Sequence, residues 1–154
     1  MQQLICDVRT FVSDRWTLGP LHGVRHWDRV YANGLRLLTP DVDPLVVALF
    51  AYLHDSCRQS DGYDVEHGRR AAEWIQAELR ETLLKDVPDG QVELLKEACR
   101  LHTVVHKTGN PTIDACFDAD RLDLWRVGVT PDPAKLATAS GQAIARATDY
   151  SELI

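Results

Sequence analysis

The stretch from Pro44 to Leu53, PLVVALFAYL, constrains this chain more than any other part of it. It is apolar on every side, so it must be surrounded by the rest of the protein, either as a central helix or as a strand buried on both faces. Asp43 is a good N-cap and Pro44 suits the first helical position, where its missing N–H costs nothing. Nothing else in the sequence reads as a strand to pair with it. The run is therefore expected to be the central helix of an all-α protein, and it is too short to span a bilayer. It leads straight into His54-Asp55.

The remaining segments carry helical periodicity. Residues 2–15 place Leu4, Ile5, Val8, Phe11 and Val12 on one stripe, and Gly19-Pro20 ends that element. A second helix is expected over about 22–38, with Trp27, Val30, Tyr31, Gly34, Leu35 and Leu38 at helical spacing. Further helices are expected over about 65–84, 91–106, 113–126 (capped by Thr112) and 134–147. The expected architecture is a compact single-domain bundle of six to seven helices over residues 1–154. Its core lies at 22–130, with helices 2–15 and 134–147 packed on it.

Composition narrows the partners. The 154 residues carry a formal charge of -6 with no basic tract, which argues against a nucleic-acid polymer or an anionic membrane as partner. Residues 1–11, MQQLICDVRTF, lack the basic start and small-residue cleavage site of a signal peptide, so a cytoplasmic protein is expected, as a monomer or homodimer. Cys6, Cys57, Cys99 and Cys116 are widely separated with no CxxC pair, and are expected to be reduced thiols that mostly pack as small apolar groups.

The informative residues are polar ones on apolar faces. His67 continues the stripe of Ala71, Ile75 and Leu79, and His102 shares a face with Leu95, Ala98, Cys99, Val105 and His106. Asp120 falls in the stripe of Ile113, Cys116, Phe117, Leu124 and Val127. Asp118, about 200° away around the helix, is expected to face solvent. His22, His26, Arg29 and Asn33 border the apolar face of the second helix, and His54-Asp55 close the central one. One inward histidine is ordinary. Several imidazoles and two carboxylates from separate helices are not, because an unpaired buried carboxylate costs several kcal/mol and is normally paired or metal-bound. Such a nitrogen and oxygen donor set suits Mn, Fe, Co, Ni or Zn.

These residues resemble the HD-domain metal-dependent phosphohydrolase superfamily. The family's histidine falls on His26, its His-Asp pair on His54-Asp55 and its distant aspartate, in an ADRL context, on Asp120. The segments DVEHGRRAAEW and CRLHT place His67 and His102 where members with two metals carry extra histidines. The resemblance implies an HD-domain fold and one or two divalent transition metals. His26, His54, Asp55 and Asp120 would hold one, and His67, His102 and the bridging Asp55 the other. It implies hydrolysis of a small phosphorylated substrate, such as a nucleotide, by a metal-activated water, with His54 and Asp55 as the catalytic pair. Arg58, Lys107, Arg29 and Arg121 are candidates to meet the phosphate. Arg58 stands where several members carry an acidic residue, so no acid/base role transfers to it.

Two other functions remain open at this level: a di-iron oxygenase that cleaves a carbon bond of a small molecule, and a non-catalytic, metal-stabilised regulatory domain. His22 and His106 are one turn from candidate ligands, and either a supporting role or an exposed position suits them. Ion pairs with Asp28, Asp118 or Asp123 account for Arg29 and Arg121 as well as phosphate contact does. Glu66 reads as a helix N-terminal charge, and the four tryptophans as packing rather than a stacking platform. The Gly62-Tyr63-Asp64 tripeptide is too short to mark the cyclic-dinucleotide subgroup.

Overall fold

Helix α3 (Pro44–Leu53) begins with the expected cap: Asp43 Oδ1 accepts the N–H groups of Leu45 (3.0 Å) and Val46 (3.2 Å), and Pro44 takes the first helical position. In the computed structural model, which describes all residues from Met1 to Ile154, every residue of α3 from Val46 onward is buried. The surroundings come from α1 (Gln2–Arg15), α2 (Val24–Arg36), α5 (Asp89–Leu101) and α6 (Pro111–Arg121), all of which pack on α3. Helix α4 (His67–Trp74) packs on α5, and α7 (Ala139–Ala147) closes over α6. The molecule is a compact all-α domain of seven helices without strands. None of its helices is long and apolar enough to cross a membrane.

Close approach of α2 to α3 depends on Gly34. A Cβ there would collide with Cγ1 of Val47, so the α2–α3 pair is spaced for a residue without a side chain. The contact matters because these two helices carry His26 and His54.

Several sequence expectations are corrected. His22 belongs to a short 3-10 turn, Pro20–His22, and α2 starts only at Val24 because Gly23 interrupts it with extended backbone. The fourth helix leaves α geometry at Ile75, continues through a π-helical stretch to Leu79 and breaks into turns. Asn110, not Thr112, caps α6, accepting from the N–H groups of Thr112 and Ile113; Thr112 Oγ1 instead accepts from Asp43 N–H and ties α6 to the start of α3. α5 ends at Leu101 rather than near His106, and α6 ends at Arg121 before a 3-10 turn at Leu124–Val127. The C-terminal segment splits into a 3-10 turn, Pro133–Lys135, and α7.

The periodicity overreached at Phe11, Leu35, Leu38, Val105 and Val127, which are exposed because they lie at stripe edges or beyond the ends of their helices. Cys99 and Cys116 are buried as expected, but Cys57 is half-buried and Cys6 is exposed. Trp27 is fully buried, whereas Trp16, Trp74 and Trp125 are partly exposed.

Asp118 is the largest correction. It is completely buried, and its carboxylate accepts the backbone N–H groups of Ala137 and Thr138 (both 2.8 Å) and the Thr138 hydroxyl (2.7 Å). The helical wheel placed it opposite the core, but α7 and its leading loop cover that side of α6.

Candidate metal centre

Helix ends set the imidazoles. The last carbonyls of a helix run short of backbone donors, and His54, at the end of α3, directs its Nδ1 at the carbonyls of Ala51 (3.1 Å) and Phe50 (3.0 Å), the latter also accepting the His54 backbone N–H. His102, just past α5, does the same with Cys99 O at 2.6 Å. His67 opens α4 with Nδ1 on Asp64 O at 2.5 Å, and His26, within α2, has Nδ1 on Asp123 Oδ2 at 2.7 Å. Each of these four Nδ1 atoms faces a group that only accepts, so each carries a proton and leaves its Nε2 lone pair directed inward.

The inward atoms fall into two groups. In the first, His26 Nε2 and His54 Nε2 are 3.2 Å apart, and Asp120 Oδ1 is 3.3 Å from the former and 3.4 Å from the latter. Asp55 Oδ2 adds a fourth donor, 3.2 Å from His26 Nε2 and 3.4 Å from His54 Nε2. Four donors around a transition metal at ~2.05 Å would be separated by ~3.3 Å along the edges of a tetrahedron. The five measured separations match that edge. In the second group, Asp55 Oδ1 lies 2.9 Å from His67 Nε2 and 3.9 Å from His102 Nε2, and the two nitrogens are 3.0 Å apart. Asp55 thus faces both groups, one oxygen to each.

The donor chemistry fits a cation. Two imidazole lone pairs face each other at 3.2 Å, and Asp55 Oδ2 is fully buried without a well-formed hydrogen bond. Without an ion, protons must take its place. Burial disfavours a charged His26, but hydrogen bonds to Asp120, Asp123 and Asp55 outweigh it and push the group up to about 9. Burial opposes a charged His54 too, and the nearby Asp55 and Asp120 raise it to about 10. Burial would raise both carboxylates, but His54 and the other imidazoles hold Asp55 and Asp120 well below the usual carboxylate range. His102 moves the other way: burial lowers it, the hydrogen bond to Asp55 opposes this, and the charges of His54, which lowers it, and Asp120, which raises it, act less strongly.

The basic candidates separate by position. Arg58 Nε lies 3.4 Å from Asp55 Oδ1, and its Nη1 donates to the carbonyls of Ser60 (3.2 Å) and Gly62 (3.1 Å). Arg29 is ion-paired to Asp123 Oδ1 at 2.7 Å, with its guanidinium over the Trp125 ring. Arg121 donates to the carbonyls of Lys135 and Val105 and sits 3.6 Å from Asp118. Lys107 is exposed and makes no polar contact with the donors.

Glu66 is an exposed ion-pair partner of Arg69, and burial raises the Cys57 thiol. His106 is exposed. His22 is buried in the opposite tautomer: Arg126 Nη2 donates to its Nδ1 (3.2 Å), so its Nε2–H donates to Asp61 O (3.1 Å), while the Nδ1 edge sits 3.6 Å from Asp55 Oδ2.

Asp123 is the residue that sequence reasoning undervalued. It was visible only as an ion-pair partner for arginine, yet it orients His26 and is held in turn by Arg29. Its position three residues after Asp120, on the same side of the chain, was the available signal. Asp120 is the donor that solvent reaches, with 24% of its side chain exposed against 3% for Asp55 and none for His26 or His54. The largest surface cleft, about 980 Å³ and lined by residues including Leu4, Asp41, Leu45, Leu83 and Gln91, contains none of the donors.

Comparison with models of known protein families, with curated protein sequences and with solved structures returned no match.

Proposed function

We propose that this protein is a metal-dependent phosphohydrolase of the HD-domain type, acting on a nucleotide or another small phosphoester. The observation that carries this reading is the convergence of six donors from five helices, with four Nε2 lone pairs directed inward by Nδ1 anchors and Asp55 between the two groups. A divalent transition metal held there supplies Lewis acidity and lowers the pKa of a coordinated water towards ~7.

The chain supplies the rest. His26, His54, Asp55 and Asp120 bind the ion, with Asp55 also facing His67 and His102. Asp123, Phe50 O, Ala51 O, Asp64 O and Cys99 O hold the imidazoles in the ligating tautomer. Arg58 is the cation beside Asp55 available to orient an anionic phosphoryl group. Arg29 and Arg121 are engaged in structural pairs and Lys107 is exposed without a polar contact to the donors, so they are weaker candidates for that role.

Phosphate release from a panel of nucleotides and phosphomonoesters, in the presence of Mn, Co, Ni, Zn or Fe, tests the reading. Activity should fall at least ~1,000-fold in Asp55→Ala, which removes a donor from both groups. The two facing groups also match what a di-iron oxygenase would need. Two tightly bound irons with O₂ uptake and no phosphate release under any metal would favour that reading instead. A protein that purifies without metal and ignores added metal would sink both.

A further inference from the structure

We propose that Arg58 is a built-in competitor for the second metal position, so that the two donor groups fill in order rather than together. This rests on the metal-centre reading above. The oxygen of Asp55 that faces His67 and His102 is Oδ1, and it is the same oxygen that Arg58 Nε approaches at 3.4 Å. The other oxygen, Oδ2, faces His26 and His54 and has no arginine on it. One carboxylate therefore offers the first group an oxygen surrounded only by imidazoles, His22 Nδ1 at 3.6 Å included, and offers the second group an oxygen that already carries a guanidinium.

The guanidinium is not free to swing away at no cost. Its Nη1 is held by the carbonyls of Ser60 and Gly62, and the side chain is only 13% exposed. The loop carrying those carbonyls is itself fastened, by Asp61 O to His22 and by Asp64 to Arg70 and to Gln59 N–H. A fixed positive charge beside a divalent ion weakens binding by at least about tenfold even with water-like screening. Donor number acts in the same direction. The first group has four donors with two carboxylates, whereas the second has two imidazoles and a share of Asp55, with His102 Nε2 at 3.9 Å from Oδ1.

Arg58 thus sets how many ions the protein holds at a given metal concentration. The full chain, stripped of metal, is titrated with Mn²⁺ or Co²⁺ by calorimetry, with bound metal counted by elemental analysis. The wild type should show one tight step and a second at least ~10-fold weaker, and His67→Ala should lose the second step alone. Arg58→Gln should strengthen the second step ~10-fold or more and leave the first within ~3-fold. Arg58→Lys, which keeps the charge, should retain the wild-type order; circular dichroism checks that each variant is folded. Two equal steps in the wild type overturn the proposal, as does a second step that Arg58→Gln leaves unchanged or weakens. Weaker binding of inorganic phosphate in Arg58→Gln with an unaltered second metal step would overturn the proposal and leave Arg58 with its phosphate role alone. If no form binds metal at all, the metal-centre reading fails first and this one with it.

Discussion

At the residue scale, the arrangement turns on which atom of each imidazole is occupied. Nδ1 is committed to a carbonyl or carboxylate in His26, His54, His67 and His102, and only Nε2 is left for a ligand. His22 shows the contrast, because Arg126 occupies its Nδ1 and turns its proton outward. Asp123→Asn should therefore lower the metal affinity of the His26 group by ~10- to 100-fold, the usual effect of removing an outer hydrogen-bond partner. Asp28→Asn, on the same helix but paired with Arg9 and Tyr52, should leave that affinity unchanged. Equal effects of the two substitutions in a calorimetric titration would contradict this account. The sequence brought out His26, His54, Asp55, His67, His102 and Asp120 through their faces and family resemblance. It did not bring out Asp123, since nothing in a linear pattern distinguishes a carboxylate that pairs with arginine from one that also orients a histidine.

At the element scale, helix ends do two jobs: they terminate packing segments and they aim side chains. Carbonyls at the ends of α3 and α5 fix His54 and His102, so small errors in where a helix stops become errors in the site. The same scale explains the misplacement of Asp118. A helical wheel assigns faces relative to one neighbour, whereas α6 is covered on a second side by the segment leading into α7. Asp118→Ala removes the acceptor of two buried or half-buried N–H groups and a hydroxyl, and should lower unfolding stability by ~2–4 kcal/mol. Gly141→Ala should also destabilise, because its Cβ would collide with the Asp118 carboxylate. Urea denaturation measures both, and an unchanged midpoint for Asp118→Ala would show that the cap contributes nothing. Both variants should keep their metal stoichiometry, since neither residue supplies a donor.

At the scale of the whole molecule, the buried charges make stability depend on pH, and the proposed metal centre would link that dependence to metal. His26 and His54 have folded pKa values raised to about 9 and about 10 in the metal-free protein. Their contribution is fully present below the unfolded value of ~6.5 and is lost as pH rises through those folded values. Asp55 and Asp120 are depressed, so their contribution is present above ~4 and disappears as acid protonates them. Metal displaces the imidazole protons, so binding should release protons. The thermal stabilisation given by Mn²⁺ or Co²⁺ should then grow between pH 6 and pH 9. Melting temperatures of stripped and loaded protein across that range check it, and a metal increment that does not change with pH would refute it.

The sequence by itself determined the all-α class, because the one fully apolar run opens with a helical cap and proline and no other segment reads as a strand to pair with it. Periodicity and the resemblance also singled out His26, His54, Asp55, His67, His102 and Asp120, although the same periodicity set Asp118 in solvent and His106 on an inward face. Only the tertiary structure decided the grouping of those donors, the two-sided role of Asp55, the burial of Asp118 and the seating of Arg58 against Asp55. Those depend on distances between atoms of different helices, which periodicity does not encode. Such distances are set by close approaches such as Gly34 against Val47, and by the residue at which each helix stops.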